Sequence, residues 1–221
     1  MKGEFNREAL TTALREGVSS LPSQLNAIIS ETQIEQMISY LALLVKWNSV
    51  YNLTSVRDPN EMVRQHLLDS LSAAQAFKNA THVLDVGSGG GLPGMILAMT
   101  YPAMRISMID TVNKKTAFLA QAKTELGLAN VTVHTGRVEE LQVEQKFDVI
   151  TSRAFSELCN FVNWSCHLLA DGGQFIAMKG IAPSEEIERL PKGWKVTGVE
   201  ALSVPGLDVA RHLIMINKES L

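Results

Sequence analysis

The residues of this sequence that are best suited to chemistry lie in one glycine-rich stretch, from Gly87 to Gly94. An apolar segment, residues 83–86, precedes it, and Pro93 stands where a helix can begin. Glycines adopt positive φ angles and let the backbone approach a ligand, while the first turn of a helix offers unpaired N–H groups. The stretch therefore predicts a strand, a tight turn and a helix that together bind a nucleotide-type ligand.

Two ligands fit this glycine spacing. Gly89, Gly91 and Gly94 match the G-x-G-x-x-G fingerprint of dinucleotide-binding folds, which makes an NAD-linked oxidoreductase one candidate. The other candidate ligand is S-adenosylmethionine. Asp110 follows at the distance expected of an acid that accepts from ribose hydroxyls, and it would do so for either ligand. Glu139 either meets an adenine amino group or is a solvated acid at a helix start.

Asp85 favours the second ligand. This carboxylate lies two residues before Gly87, at the end of the predicted strand. A negative charge at this point would repel a pyrophosphate, whereas it suits the sulfonium and ammonium groups of S-adenosylmethionine. The alternative is an aspartate that only supports the strand end. The residues by themselves therefore favour a methyl donor over a dinucleotide.

Strands and helices alternate after residue 81, which predicts a parallel sheet that is covered on both faces and binds ligands at the carboxyl ends of its strands. The last two strands have no helix between them and are joined through Pro205 and Gly206, so they form an antiparallel hairpin. The predicted fold is α/β, with a doubly wound, mainly parallel, seven-stranded Rossmann-like sheet that resembles class I methyltransferases. Its strands are residues 83–86, 105–110, 130–134, 147–151, 174–178, 194–202 and 211–216.

The first third of the chain is predicted to be helical, because apolar residues recur there at helical spacing without any strand pattern. Asp58 and Pro59 form a typical N-cap and first helical residue for the last of these helices. We therefore expect an N-terminal helical extension, residues 1–80, that contributes substrate contacts to a methyltransferase domain, residues 81–221. The predicted helices of the extension are residues 4–17, 32–51 and 59–74.

Several polar and aromatic residues of this helical region have two interpretations. Trp47 and Tyr51, near Arg57, either stack on nucleic-acid bases or pack against each other at a helix end. His66 and Asp69 are three residues apart and are predicted to be neighbours on a polar helix face. That pair is either a surface ion pair or a substrate contact.

Composition limits the classes of function. The net charge of −3 and the pI near 6.0 provide no global attraction for nucleic acid, so any RNA contact depends on a local basic patch. Cys159 and Cys166 are predicted to be core thiols in a reducing compartment. The charged N-terminus and the lack of a long apolar run predict a cytoplasmic protein with no membrane contact.

The motifs together resemble the bacterial family of small-subunit ribosomal RNA guanine-N7 methyltransferases, also known as glucose-inhibited division protein B. The similarity extends from about residue 30 to residue 217, and its most specific parts are the Gly-Leu-Pro-Gly ending and the Ser-Arg-Ala-Phe box. The resemblance implies transfer of a methyl group from S-adenosylmethionine to N7 of a guanine in 16S ribosomal RNA, position 527 in the 530 loop. The matching motifs are Tyr51-Asn-Leu-Thr-Ser-Val-Arg-Asp-Pro-Asn-Glu-Met62, His66-Leu-Leu-Asp-Ser-Leu71, Asp85-Val-Gly-Ser-Gly-Gly-Gly-Leu-Pro-Gly94, Val138-Glu-Glu140, Ser152-Arg-Ala-Phe155, Lys179-Gly180 and Arg211-His-Leu213.

The resemblance also implies site residues. Gly87 and Leu92 would line the cofactor pocket, Val138 and Glu139 would meet the adenine, and Arg153 would lie beside the cofactor. With the residues argued above, the expected cofactor site is Asp85, Gly87, Ser88, Gly89, Leu92, Asp110, Val138, Glu139 and Arg153. The expected RNA-binding residues are Asn52, His66, Lys114, Arg137, Lys179 and Arg211. We expect no metal ion and no DNA partner, and a monomeric enzyme on the small ribosomal subunit.

The target atom determines the expected chemistry. Guanine N7 has a lone pair and no proton, so its attack on a sulfonium methyl group needs no general base. Catalysis would consist mainly of positioning and desolvation. Arg153 is the expected catalytic residue through positioning, whereas His66 and Asp69 are not expected to act as bases.

Overall fold

The structure, a computed structural model, describes residues 4–153 and 157–219. Its centre is a seven-stranded sheet with the strand order β3-β2-β1-β4-β5-β7-β6. Ala154 and Phe155 of the Ser-Arg-Ala-Phe box lie outside the described residues. The strands are β1 (His82–Val86), β2 (Arg105–Asp110), β3 (Val131–Thr135), β4 (Phe147–Arg153), β5 (Leu169–Lys179), β6 (Trp194–Ala201) and β7 (His212–Lys218).

The topology confirms the predicted fold class. Strands β1 to β5 are parallel, and β7 is antiparallel to both β5 and β6. The strand order reverses at β1 and β4, where the chain leaves neighbouring strands in opposite directions. In open α/β sheets, a crevice for ligands opens at this point, beyond the carboxyl ends of the strands.

Helices cover both faces of the sheet. A π-helix occupies Val63–Leu68, and 3₁₀ turns occupy Ala74–Phe77, Val138–Glu140 and Cys166–Leu168. In the described ranges, no helix is both long enough and apolar enough to cross a membrane. The α-helices are α1 (Arg7–Ser19), α2 (Ser23–Asn26), α3 (Glu31–Tyr51), α4 (Pro59–Met62), α5 (Asp69–Ala73), α6 (Gly94–Thr100), α7 (Asn113–Glu125), α8 (Leu158–Ser165) and α9 (Ser184–Glu188).

Two apolar clusters form the core, one on each face of the sheet. Successive residues of β1 belong to different clusters, Val83 to the first and Leu84 to the second, as the alternation of strand side chains requires. The first cluster joins the sheet to the N-terminal helices, and the second joins it to α8. The N-terminal helices therefore cover one face of the sheet and share its core.

Local signals account for the ends of the two helices next to the site. Ser30 caps α3 through a capping box with Gln33, and α3 ends at Asn52, whose φ of 51° is left-handed. Asp58 caps α4 by accepting from two main-chain N–H groups, and Pro59 is its first residue, as predicted.

The segment after Pro59 is less regular than predicted. A single helix was expected over 59–74, but the chain passes from α4 through the π-helix Val63–Leu68 to α5. The Nη1 group of Arg153 donates a hydrogen bond of 2.9 Å to the main-chain oxygen of Gln65 within the π-helix. Helical spacing predicts that such a segment is helical. It cannot predict a hydrogen bond from a side chain on a strand that is distant in the sequence. π-Helical turns occur often at functional sites.

Two further predictions are wrong in detail, and one helix was missed. Strand β5 begins at Leu169 rather than at residue 174, because Gly172, with a φ of 75°, is accommodated within the strand. Cys159 and Cys166 are half-buried free thiols rather than core residues. The short helix Ser23–Asn26 was not predicted.

Candidate functional site

A cleft of about 510 Å³ lies at the carboxyl ends of the central strands. Its walls are the glycine turn after β1, the loop after α3, the π-helix, the ends of β4 and β5 and the segment before β7. The residues predicted for the site that line this cleft are His66, Gly87, Ser88, Gly89, Leu92, Arg153, Lys179 and Arg211.

The glycine turn has the left-handed backbone that its sequence predicts. Gly87, Gly89 and Gly91 have φ angles of 69°, 56° and 90°. A Cβ at Gly91 would lie 2.7 Å from Cγ of Met95, so a side chain there would collide with α6. A Cβ at Gly89 would meet no protein atom nearer than 3.8 Å, so it would occupy open space in the cleft. A glycine is therefore required at position 91 so that the turn can pack against α6. A glycine at position 89 leaves the backbone of the turn accessible from the cleft.

Asp85 supports the turn from below. It is fully buried, and its Oδ2 accepts from the main-chain N of Gly94 at 3.0 Å. Its Oδ1 has no hydrogen-bond partner among the described residues. Burial raises the pKa of this carboxyl to about 7. Asp85 does not line the cleft, and its contacts are those of the alternative interpretation, a support at the strand end.

Asp110 holds the other side of the turn. Its Oδ2 accepts from the main-chain N of Gly89 at 3.0 Å and lies 3.3 Å from Nζ of Lys115. Its Oδ1 accepts from the main-chain N of Val112 at 2.9 Å. The carboxylate thus connects the end of β2 to the glycine turn and is almost completely buried.

Tyr40 is a supporting residue that the sequence analysis missed. It is fully buried in α3, and its hydroxyl donates a short hydrogen bond to the main-chain oxygen of Gly90. The signal for it was a tyrosine within the apolar stripe of α3, because a buried phenol needs a hydrogen-bond partner. Leu44, one turn later, lies 3.2 Å from the position that a Cβ at Gly90 would take. Helix α3 therefore supports the turn at Gly90.

Two arginines that line the cleft, Arg153 and Arg211, share one carboxylate. Arg153 Nη1 lies 3.1 Å from Asp69 Oδ2, and Arg211 Nε lies 2.8 Å from Asp69 Oδ1. The Asp69 side chain is 2% exposed, whereas the side chains of Arg153 and Arg211 are 22% and 26% exposed. Sequence reasoning assigned the two arginines to the site and left Asp69 as either a surface residue or a substrate contact, without predicting that the arginines share it.

His66 is buried in the wall of the cleft. Its Nε2 lies 2.9 Å from Oγ1 of Thr54, and its Nδ1 has no hydrogen-bond partner among the described residues. Burial, with a smaller contribution from the positive charge of Arg153, lowers its pKa to about 4. Because both His66 and Asp69 are buried, the interpretation of these two residues as a surface pair is wrong.

Lys179 extends from the end of β5 toward α9. Its Nζ lies 2.8 Å from Oε2 of Glu186, and this same oxygen accepts from the main-chain N of Leu158 at 2.8 Å. Glu186 therefore ties the end of β5 to the start of α8. Lys179 lines the cleft as one member of an ion pair.

The remaining predicted residues do not line this cleft. Lys114 is exposed in the first turn of α7, and Val138 is buried in the 3₁₀ turn after β3. Arg137 Nη2 and Glu139 Oε1 form an ion pair at 2.5 Å beside it. Asn52 is exposed at the end of α3 and accepts from Arg57 at 2.5 Å. Trp47 and Tyr51 pack against each other with tilted rings, whose centroids are 5.1 Å apart.

The glycine turn and the arginine pair line one cleft at the carboxyl ends of the strands, and comparison with known proteins identifies the family to which such a chain belongs. A sequence model of the rRNA small subunit methyltransferase G family matches residues 33–214. This chain belongs to that family. A protein of Janthinobacterium sp. (strain Marseille) named ribosomal RNA small subunit methyltransferase G is 61% identical, over 98% of this chain and 99% of its own. One from Chromobacterium violaceum with the same name is 52% identical, over 92% and 96%.

Solved structures with low identity share the fold. The O-methyltransferase TomG of Streptomyces achromogenes, solved in complex with SAM, matches with a TM-score of 0.55 at 15% identity, over 82% of this chain and 90% of its own. The ribosomal protein L11 methylase of Lactobacillus delbrueckii matches with a TM-score of 0.53 at 16% identity, over 69% and 77%. These similarities place the sheet of this family member among methyltransferase folds.

Proposed function

We propose that this protein transfers a methyl group from S-adenosylmethionine to N7 of a guanine in 16S ribosomal RNA, at position 527 of the 530 loop. Family membership supports the methyltransferase activity and the ribosomal RNA substrate. The observation that carries the proposal is the cleft itself, which is lined both by an open glycine turn and by Arg153 and Arg211. One wall suits a methyl donor, and the other suits an RNA base.

The residues of the turn fit S-adenosylmethionine. The space beside Gly89 is open, and the turn is held by Asp110, Asp85 and Tyr40 without any charged side chain of its own. A ligand with no phosphate can bind through close approach of the backbone, without phosphate-binding side chains on the turn. When bound, S-adenosylmethionine supplies a methyl group activated by the positive sulfur. We propose that Gly87, Ser88, Gly89 and Leu92 contact it directly, with Asp110, Val138 and Glu139 around its adenosine, Arg153 beside it and Asp85 beneath the turn.

The chain needs no general base for this reaction. Guanine N7 has no proton to lose, so the residues of the cleft have to hold the base, exclude water and leave N7 free to attack. The low pKa of His66, about 4, keeps its imidazole neutral at physiological pH. A neutral side chain adds no charge that would oppose the positive charge developing on the methylated guanine.

Arg153 and Arg211 are suited to bind the substrate base and its backbone. Guanidinium groups donate to guanine O6 and to phosphate oxygens. In the described ion pairs, two arginines share one aspartate. The net charge of this wall of the cleft is therefore positive, although the whole protein has a net negative charge. We propose that Lys179, His66, Asn52, Lys114 and Arg137 extend this RNA-binding surface around the cleft.

The proposal also covers organisation. Residues 1–80 would form an extension that contributes one wall of the cleft, and residues 81–221 would form the methyltransferase domain. The protein would be a monomer that binds RNA and no DNA. Light scattering after size exclusion tests the monomer, and competition by DNA of the same sequence tests the choice of RNA.

The activity is tested with labelled S-adenosylmethionine and small ribosomal subunits from a strain that lacks this gene. The expected result is label in 16S ribosomal RNA, with borohydride and aniline cleavage at one guanine. Subunits from the parent strain are the control, since their site is already methylated. Absence of label in RNA from the deletion strain would refute the proposed function.

A further inference from the structure

The pair of arginines in the cleft depends on one buried carboxylate. Asp69 Oδ2 binds Arg153, which ends β4, and Asp69 Oδ1 binds Arg211, which precedes β7. Neither arginine has another ion-pair partner in the part of the chain that the structure describes. Each carboxylate oxygen is therefore used by a different arginine, one at the end of β4 and one just before β7.

The contacts with Asp69 leave part of each guanidinium free. Arg153 uses Nη1 for Asp69 and for the main-chain oxygen of Gln65, and Arg211 uses Nε for Asp69 and Nη1 for the main-chain oxygen of Ala210. Within residues 4–153 and 157–219, the Nη2 group of each arginine makes no hydrogen bond. Because both side chains line the cleft, these groups are available to a ligand.

The charges explain why a carboxylate is needed between them. Two guanidinium groups that share a partly buried wall repel each other, and their separation would increase without a negative charge between them. Asp69 is 1% exposed, so its position is determined by the packing of the helix segment that contains it. A carboxylate held in this way determines where both positive groups point.

We propose that Asp69 is the positioning residue of this site, which holds Arg153 and Arg211 at the separation and orientation needed to bind the guanine and its neighbouring phosphate. This inference rests on the proposed function, because the ligand of the two free Nη2 groups is the RNA substrate. Asp69 acts through the arginines and does not contact the reacting atoms. The π-helix contributes, because Gln65 within it gives Arg153 a second fixed contact.

The matched variants are Asp69→Asn and Asp148→Asn. Asp148 also joins two elements, since it accepts from the main-chain N groups of Thr81 and His82 at 2.7 and 2.9 Å, but it does so at the amino ends of β1 and β4. Asp69→Asn is expected to lower kcat for RNA methylation by about 10²-fold, as misplaced positioning groups do. Asp148→Asn is expected to lower Tm and leave kcat unchanged. An Asp69→Asn enzyme with the kcat of the wild type would overturn the proposal.

A second measurement reports on the arginines directly and needs no activity. The Nε–H of Arg211 donates to Asp69, so its ¹⁵N–¹H NMR resonance, assigned by its disappearance in Arg211→Lys, is expected to move toward that of a solvated arginine in Asp69→Asn. It should stay in place in Asp148→Asn. Asp69→Glu, which keeps the carboxylate, is expected to recover part of the kcat. If Asp69→Asn does not fold, the Arg211 resonance is measured in Asp69→Glu instead. An unchanged resonance in a variant without the carboxylate would contradict the proposal.

Combining the variants separates positioning from a merely structural role. If Asp69 acts through the two arginines, then Asp69→Asn costs much less kcat in a background that carries both Arg153→Lys and Arg211→Lys than in the wild type. Equal losses in both backgrounds would show that Asp69 acts independently and would refute the inference. A wild-type protein that methylates no RNA would refute the proposed function instead, and the Arg211 resonance would still test the role of Asp69.

Discussion

Asp85 Oδ2 accepts a hydrogen bond from the main-chain N of Gly94 at 3.0 Å, entirely within the core. This contact joins the last part of β1 to the first residue of α6 and so closes the glycine turn at its base. The aspartate that marks the binding loop in the sequence therefore acts on the loop from inside the protein. Its position makes the stability of the site sensitive to pH.

Stability is expected to depend on pH through Asp85. Burial raises its pKa from 3.8 to about 7, so the folded protein retains a proton that the unfolded chain releases between these values. The contribution is present below about pH 4 and is lost as the pH rises through 7. Compared with Asp85→Asn, which does not titrate, the wild type should lose roughly 1.4 kcal/mol of unfolding free energy per pH unit in this window. Urea unfolding of both proteins between pH 4 and 8 measures it, and parallel curves would contradict it.

Gly89→Ala should weaken cofactor binding more than it weakens the fold. The matched control is Gly127→Ala, because both glycines have a left-handed φ, 56° and 65°, and open space around a new Cβ. Each substitution should cost about 1–2 kcal/mol of stability. Only Gly89 lines the cleft, so only its variant should lose affinity for S-adenosylmethionine, by about tenfold or more in calorimetry. Equal affinities in the two variants would show that the turn does not contact the cofactor.

Tyr40→Phe should loosen the glycine turn. The Tyr40 hydroxyl donates to the main-chain oxygen of Gly90, whereas that of Tyr101 donates to Ala74 at 3.0 Å, away from the cleft. Each Tyr→Phe change removes one hydrogen bond to a carbonyl and should lower stability by about 1–3 kcal/mol. Binding of S-adenosylmethionine should weaken in Tyr40→Phe and stay unchanged in Tyr101→Phe. Thermal unfolding and calorimetry measure both quantities, and equal cofactor affinities would exclude a role for Tyr40 in the turn.

His66→Gln should change the rate of methyl transfer but not its dependence on pH. The pKa of His66 is about 4, so the imidazole is neutral throughout the range from pH 6 to 9. The ratio of the kcat values of wild type and variant should therefore be constant over that range. A ratio that changes between pH 6 and 7 would show that His66 titrates there during the reaction.

The pH dependence of stability from His66 has the opposite sign to that from Asp85. Since its folded pKa is lowered from 6.5 to about 4, its contribution is present above pH 6.5 and is lost as the pH falls through 4. His66→Gln removes this term, so the difference in unfolding free energy between wild type and variant should shrink as the pH falls from 7 to 4. Urea unfolding at several pH values measures it, and a constant difference would contradict the buried neutral imidazole.

Much of the fold follows from local signals in the sequence. The short apolar run from Arg105 to Asp110 predicts β2, and Asp58 with Pro59 marks the start of α4, because such strands and helix caps depend on residues close in the chain. The glycine turn was predicted for the same reason, since a left-handed backbone at Gly87 and Gly89 requires glycine wherever the rest of the chain lies. The seven strands and their class could therefore be predicted before the structure.

The arrangement of the site was decided only by the tertiary structure. Asp69 meets Arg153 across 84 residues and Arg211 across 142, and no spacing along the chain encodes that contact. The side chain of Asp85 is buried rather than exposed in the cleft because β1 is an interior strand between β2 and β4 and its end is covered by α6. Sequence patterns thus determined which residues form the strands and the turn. Packing determined which charges meet, because ion pairs form between whatever side chains the folded elements bring within reach.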